Sequence, residues 1–285
     1  MDAPLTLRAG EFEVLLAPQR GGAIAALRWR GLDLLRPGPA GGEATHPVDL
    51  GCFPMVPVCN RVRDNLLRLD DRRWPVRPNF PPQPLHLHGT GWTHAWHVVE
   101  ATGSDALLRL DCDEAPWRFR AEQLLVLDAA GFSVTLSVEN LAAEPMPFGI
   151  GLHPYFPVTP RMTLRFAARR FWLMDGDKLP GEPIAVPPEL DHAAPRATPR
   201  GFRNHVYEGW DGEAAIAWPE HGVALALRAD PLFAHLLVFR PPAQPVVALE
   251  PMSHVPGADG LGWRALAPGK RMQGRVALHP RGLIA

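Results

Sequence analysis

Four of the chain's twelve histidines fall in one short window, Pro84–His97, which reads PLHLHGTGWTHAWH and also holds Trp92 and Trp96. Imidazole chemistry divides into metal ligation and proton transfer. On a strand, His86 and His88 would share one face, with Leu85 and Leu87 opposite. That is the way cupin-type barrels present two imidazoles to one metal. Such a site would want a carboxylate a few residues on, but the next acid, Glu100, comes twelve residues after His88. Cys52, Cys59 and Cys112 are odd in number and lack CxxC spacing, so they point neither to a thiolate metal site nor to a disulfide framework. The metal reading is therefore the weaker one, and whether the window instead serves a pocket for a flat-faced, hydroxylated ligand such as a sugar depends on what else the chain supplies.

Two other segments put titratable groups where core is expected. In PFGIGLHPYFP, a strand over Phe148–His153 turns Phe148, Ile150 and Leu152 inward and leaves Gly149, Gly151 and His153 on the other face. Two glycines beside a histidine suggest an open floor for a ligand. In PVVALEPMSHVPGADG, Val246, Ala248 and Glu250 share one face and Val247 and Leu249 the other. A glutamate closing so apolar a strand is either at the sheet's rim in water or partly desolvated, and desolvation would raise its pKa and make it a better proton acceptor near neutrality.

The elements that must position these groups are strands. Pro (33) and Gly (26) interrupt helices throughout, and no long stretch keeps a 3.6-residue period. FSVTLSVEN alternates as a half-buried strand, and RAEQLLVLD, across a short AAG link, reads as its hairpin partner ending near Asp128. Further strands are expected over Phe12–Leu16, Ile24–Arg30, Trp96–Ala101, Ala106–Asp111, Met162–Phe166, Ala214–Trp218, Val223–Arg228, Leu236–Arg240, Val246–Glu250 and Arg271–His279. Many short strands between turns imply an all-β sandwich or barrel. The irregular run Pro180–Arg200 is expected to be a loop within one large domain spanning residues 1–285, because the β pattern resumes after it.

A net charge of −1 gives no hold on polyanions or membrane surfaces. Six arginines lie between Arg61 and Arg77, but Asp64, Asp70 and Asp71 are interleaved, so nucleic acid is not an expected partner. The N-terminal residues do not read as a secretory signal, and no run is long and apolar enough for a membrane helix. With the cysteine usage, this leads to the expectation of a cytoplasmic protein.

Taken together, FPMVPVCNRVRDNLL, LHLHGTGWTHAWHV, GIGLHPYFPV and VVALEPMSHVPGADG resemble, in order and spacing, the signature segments of the aldose 1-epimerases, the galactose mutarotase family. The resemblance runs from about Leu5 to the C-terminus. It implies a large β-sandwich of the supersandwich type with an open, metal-free, cofactor-free cleft for a free hexose, in a monomer or homodimer. By motif, Glu250 falls at the family's general base and His153 at its general acid. His88 falls at the second active-site histidine, and Arg61, with Asn60 beside it, at the sugar-holding arginine. His86, His94 and His97 have no equivalent and are expected in the wall or rim.

The family's sugar-binding aspartate has no counterpart: RNHVYEGWDG places Asn204 there, with Asp211 in the same loop as a possible substitute. Asparagine donates and accepts hydrogen bonds but is uncharged. Trp92, Trp96, Trp210 and Tyr155 are candidates for stacking on a sugar face. Three function classes follow: a mutarotase, a sugar-binding protein of the same fold with little turnover, and a metal-dependent β-barrel enzyme. A hexose-phosphate version of the first would require convergent cations such as Arg63 and Arg68.

Overall fold

In the computed structural model, which describes residues 5–39, 46–176, 178–257 and 263–283, nearly every expected strand is present. FSVTLSVEN is the strand Phe132–Asn140, and its hairpin partner is Trp117–Leu127. Ser133 and Ser137 are buried as well, so this strand is covered more fully than its alternation suggests. The helical segments described are three-residue 3₁₀ turns. No described helix is long and apolar enough to cross a membrane.

Two large antiparallel sheets dominate. In spatial order, one runs Arg196–Ala197, Thr163–Phe166, Glu213–Trp218, Val223–Ala229, Arg271–Gly282, Phe132–Asn140, Trp117–Leu127, Asp105–Glu114 and His97–Ala101. The other runs Pro180–Ile184, Arg170–Met174, Arg203–Glu208, His235–Arg240, Val246–Met252, Gly151–Leu152 and Pro54–Met55, with Tyr155–Pro157 also paired to Val246–Met252. A four-stranded sheet over Leu5–Asp33 adds to one end of the core.

The expected loop at Pro180–Arg200 is instead structural. Pro180–Ile184 closes the edge of one large sheet and Arg196–Ala197 the edge of the other, so this excursion carries the chain between the sheets. Its prolines do not prevent pairing because edge strands need ladder bonds on only one side.

The Val246–Met252 strand divides two apolar clusters. Val247 and Leu249 enter the main core with residues of both sheets, among them Leu136, Val138, Leu225 and Phe171. Val246 and Ala248 enter a second cluster on the opposite face, with Phe53, Trp92, Tyr155, Trp172 and Leu237. The candidate site lies on that second face. Period-two alternation therefore carries Glu250 to the side turned away from the sandwich interior.

Candidate active site

Glu250 faces Leu237 across the ladder and is only 1% exposed. His153 arrives from the next segment over: its N–H donates to Phe53 O at 3.0 Å, and Pro154 follows it. The imidazole is clamped between the rings of Phe53 and Tyr155, with centroids at 4.6 and 4.5 Å. Arg36 lies over the far side of Tyr155 at 4.0 Å. His153 Nε2 is thereby held 3.1 Å from Glu250 Oε1. Glu250 Oε2 is buried with no partner, leaving one carboxylate oxygen uncommitted.

Burial sets the electrostatics of this pair. It pushes the Glu250 carboxyl well above the usual carboxylate range, opposed by the charge of Arg61, and pushes His153 down to about 3. Burial thus favours the neutral form of both partners, with a proton on the carboxyl beside an unprotonated imidazole nitrogen. Moving that proton from Oε1 to Nε2 converts a carboxylic acid and an imidazole into a carboxylate and an imidazolium.

His88 does not follow strand alternation. Its φ is +58°, in the left-handed region, and Gly89 continues the turn at +70°. A Cβ on Gly89 would meet Val56 O at 2.3 Å, so only glycine fits. The turn is braced by Asn79, which donates to Leu87 O and Gly89 O at 2.9 and 2.7 Å, and by Trp92 Nε1, which donates to the same two carbonyls at 3.0 Å. The consequence is that His86 and His88 part company. His86 packs against Trp117 and donates from Nδ1 to Arg77 O, whereas His88 lines the cleft with its ring 5.3 Å from that of His153. The shared-face expectation for these two histidines fails because one residue in the left-handed region resets which side follows. Among the described residues, no group of three or more His, Cys, Asp or Glu side chains converges as a metal would require.

Asn60 is also left-handed, with φ +56°, and its Oδ1 accepts from Arg61 N at 2.9 Å and from an Arg61 guanidinium nitrogen at 3.2 Å. Gln83 Oε1 accepts more weakly from the other end of the guanidinium, at 3.4 Å. Asn204 projects from the Arg203–Glu208 strand opposite Phe239; it is buried, and its Nδ2 is without a partner.

All six residues singled out from the sequence (Glu250, His153, Arg61, His88, Asn204 and Asn60) line one cleft of about 290 Å³. Gln83, Phe80, Phe202, Phe239 and Lys178 line it too. They escape a reading by motif because they come from irregular segments or strand ends with no local chemical signature. Tyr155 is in the wall with its ring between His153 and Arg36, and Trp92, Trp96 and Trp210 are buried in the core or behind the wall, so the aromatic surface offered to a ligand is chiefly phenylalanine.

Three other expectations are corrected. Gly149 and Gly151 do not make an open floor. A Cβ on Gly149 would lie 2.0 Å from His254 Cδ2, and one on Gly151 would lie 2.8 Å from Cys59 Sγ, so the glycines admit the protein's own side chains. Asp211 accepts from Glu213 N–H and lines a separate groove with Arg165 and Arg228, so it does not stand in for Asn204. Arg63 donates to the carbonyls of Gly257 and Pro180, Arg68 pairs with Asp64, and neither lines the cleft. The Ala258–Gly260 end of the fourth sequence segment lies outside the described residues.

A constellation of this kind, on the open face of a large antiparallel sandwich, belongs to a recognised class. The aldose 1-epimerase family model matches residues 4–279, and the chain belongs to that family. The curated Escherichia coli K12 protein YphB, itself uncharacterised, is 35% identical over 96% of this chain and 97% of its own length. A crystal structure of a provisionally assigned aldose 1-epimerase from Escherichia coli K12 superposes with a TM-score of 0.93, at 33% identity and 99% coverage of both chains. That of a galactose mutarotase-like protein from Clostridium acetobutylicum gives 0.82 at 19% identity, over 97% of this chain and 94% of that one. The fold is the galactose mutarotase-like β-sandwich.

Proposed function

We propose that the protein is a cofactor-independent aldose 1-epimerase that interconverts the α and β anomers of a free hexose. The observation that carries this reading is the 3.1 Å contact between a buried carboxyl and a buried imidazole, with Glu250 Oε2 left uncommitted at a cleft of monosaccharide size. The two oxygens that must exchange protons, O1 and the ring oxygen, are bonded to the same carbon. Two groups a hydrogen bond apart can reach both.

Once the proton of the Glu250 carboxyl has moved across the 3.1 Å contact to His153, Glu250 takes the proton from the O1 hydroxyl in the ring-opening step while His153 delivers one to the ring oxygen. The C1–ring-oxygen bond breaks and the C1–O1 carbonyl forms. Rotation about C1–C2 presents the other carbonyl face, and closure returns both protons by the reverse transfers. His88, on the same wall, hydrogen-bonds near the ring oxygen. Arg61, with Asn60 and Gln83 fixing its plane, orients the sugar hydroxyls. Asn204 Nδ2 donates to a further hydroxyl. Phe239 and Phe202 give the apolar surface against which the C–H face of a pyranose packs.

A hexose-binding protein that turns over little is the second reading, and Asn204 favours it, because it departs from the aspartate that the family carries at this position. Polarimetry on freshly dissolved α-D-glucose and α-D-galactose, with and without protein and in the presence of chelator, separates the two. A chelator-insensitive acceleration supports the epimerase. Sugar-dependent thermal stabilisation with only the background rate supports the binding protein.

A further inference from the structure

His254 is fully buried, does not line the cleft and takes no part in the proton transfers above, yet both its ring nitrogens are committed. Its Nδ1 lies 3.0 Å from Val255 O, a carbonyl that can only accept, so Nδ1 carries the hydrogen. Its Nε2 lies 2.9 Å from Cys59 N and accepts that N–H. The ring occupies the space where a Cβ on Gly149 would stand, 2.0 Å from Cδ2, so residue 149 has room only for hydrogen. Burial pushes its pKa down to about 4, which keeps the accepting lone pair free at neutral pH.

The next backbone N–H, that of Asn60, donates to His88 Nδ1 at 3.2 Å, and the His88 N–H returns a bond to Asn60 O at 2.8 Å. Successive amides of one short segment are thus aimed at two different imidazoles, one outside the cleft and one inside it. Because His88 Nδ1 accepts, its hydrogen must be on Nε2. His88 then meets a ligand as a donor, the role a hydrogen bond to a ring oxygen requires. The left-handed Asn60 is what turns its N–H toward His88, and such a conformation persists only where its surroundings hold it.

We propose that His254 is a positioning residue: by anchoring the Cys59 amide it holds the Asn60 amide against His88 Nδ1 and so fixes His88 as the Nε2–H tautomer. The effect on turnover rests on the epimerase reading, whereas the tautomer does not.

The test is therefore made first without substrate, by nitrogen-15 NMR of the histidine side chains near pH 7. In the wild-type protein, His88 should give an unprotonated Nδ1 and a protonated Nε2. In His254→Leu, with the Cys59 amide released, His88 should become a mixture of tautomers. His254→Gln, whose Oε1 can accept from Cys59 N–H, should restore most of the wild-type signal. Gly149→Ala, which displaces the same ring from the other side, should resemble His254→Leu. In the polarimetric assay, kcat for His254→Leu should fall by one to two orders of magnitude with KM changed far less, again with recovery in His254→Gln. A wild-type His88 protonated on Nδ1 would overturn the proposal without any variant. So would an unchanged His88 tautomer in a folded His254→Leu. If the tautomers behave as expected but no aldose is epimerised by the wild type, the positioning role stands and the epimerase reading falls.

Discussion

The two large sheets of this molecule treat polar groups in opposite ways. On the nine-stranded sheet, charges are paired across neighbouring strands near the solvent: Glu122 bonds Arg109 at 2.8 Å and Arg271 at 2.9 Å, and Arg120 bonds Asp111 at 2.8 Å. On the cleft face of the eight-stranded sheet, Glu250, His153 and Asn204 are almost wholly buried, yet each keeps a polar atom without a partner. An unpaired buried polar group costs roughly 1–3 kcal/mol, so such a cluster is expensive unless something else fills it. On the proposed function, the exposed charge pairs serve the fold and the unpartnered groups of the cleft face await the hydroxyls of a sugar.

His153→Asn bears hardest on that contrast. It removes the proposed proton donor while leaving an amide, so kcat in the polarimetric assay should fall by about 10²–10⁴-fold with the fold intact by circular dichroism. A near-wild-type rate would remove His153 from the mechanism.

Acid stability comes next. His153 and His254 are held neutral in the folded chain, with values pushed down to about 3 and about 4. Below the ordinary histidine value of 6.5, the unfolded chain takes up protons that the folded chain refuses, so stability falls as pH drops from 6.5 toward those values. His254 alone should account for roughly 3 kcal/mol over that window. Glu250 acts in the opposite sense, since its raised value means that the folded chain keeps a proton which the unfolded chain releases above pH 4.5. Denaturant titrations at pH 7 and pH 4.5 should therefore show a clear loss at the lower pH. Equal stability would mean that these imidazoles are not buried as described.

A smaller effect is expected at Asn204. Asn204→Asp should lower KM for glucose or galactose several-fold if this position binds hydroxyls, and an unchanged KM would remove Asn204 from the sugar site. The smallest effect belongs to the paired sheet: Glu122→Gln should leave kcat unchanged and cost no more than about 1 kcal/mol. A loss of rate there would erase the distinction between the two sheets.

Much of this was legible in the residues because strand period is a strong signal where one face is apolar. Val246, Ala248 and Glu250 separate cleanly from Val247 and Leu249, and the structure divides them the same way. Legibility ended where the backbone leaves that period. His86 and His88 look equivalent in PLHLHG, and nothing local announces the left-handed turn at His88 that sends them to different surroundings. The glycines of FGIGLH signal close approach, but whether a ligand or another side chain approaches depends on His254 and Cys59, far away in sequence. Pro180–Arg200 looked like a loop because its prolines suppress every strand cue except edge pairing. The phenylalanines of the cleft wall carry no pattern that separates them from core.

The most direct measurement is the mutarotation rate of wild-type protein and of Glu250→Gln, followed side by side by polarimetry on fresh α-D-glucose and α-D-galactose. The substitution keeps the shape of the side chain and removes its basicity. The wild type should accelerate equilibration of at least one of the two sugars, and Glu250→Gln should fall toward the buffer rate while remaining folded. Equal acceleration by both proteins would contradict the assignment of Glu250 as the base.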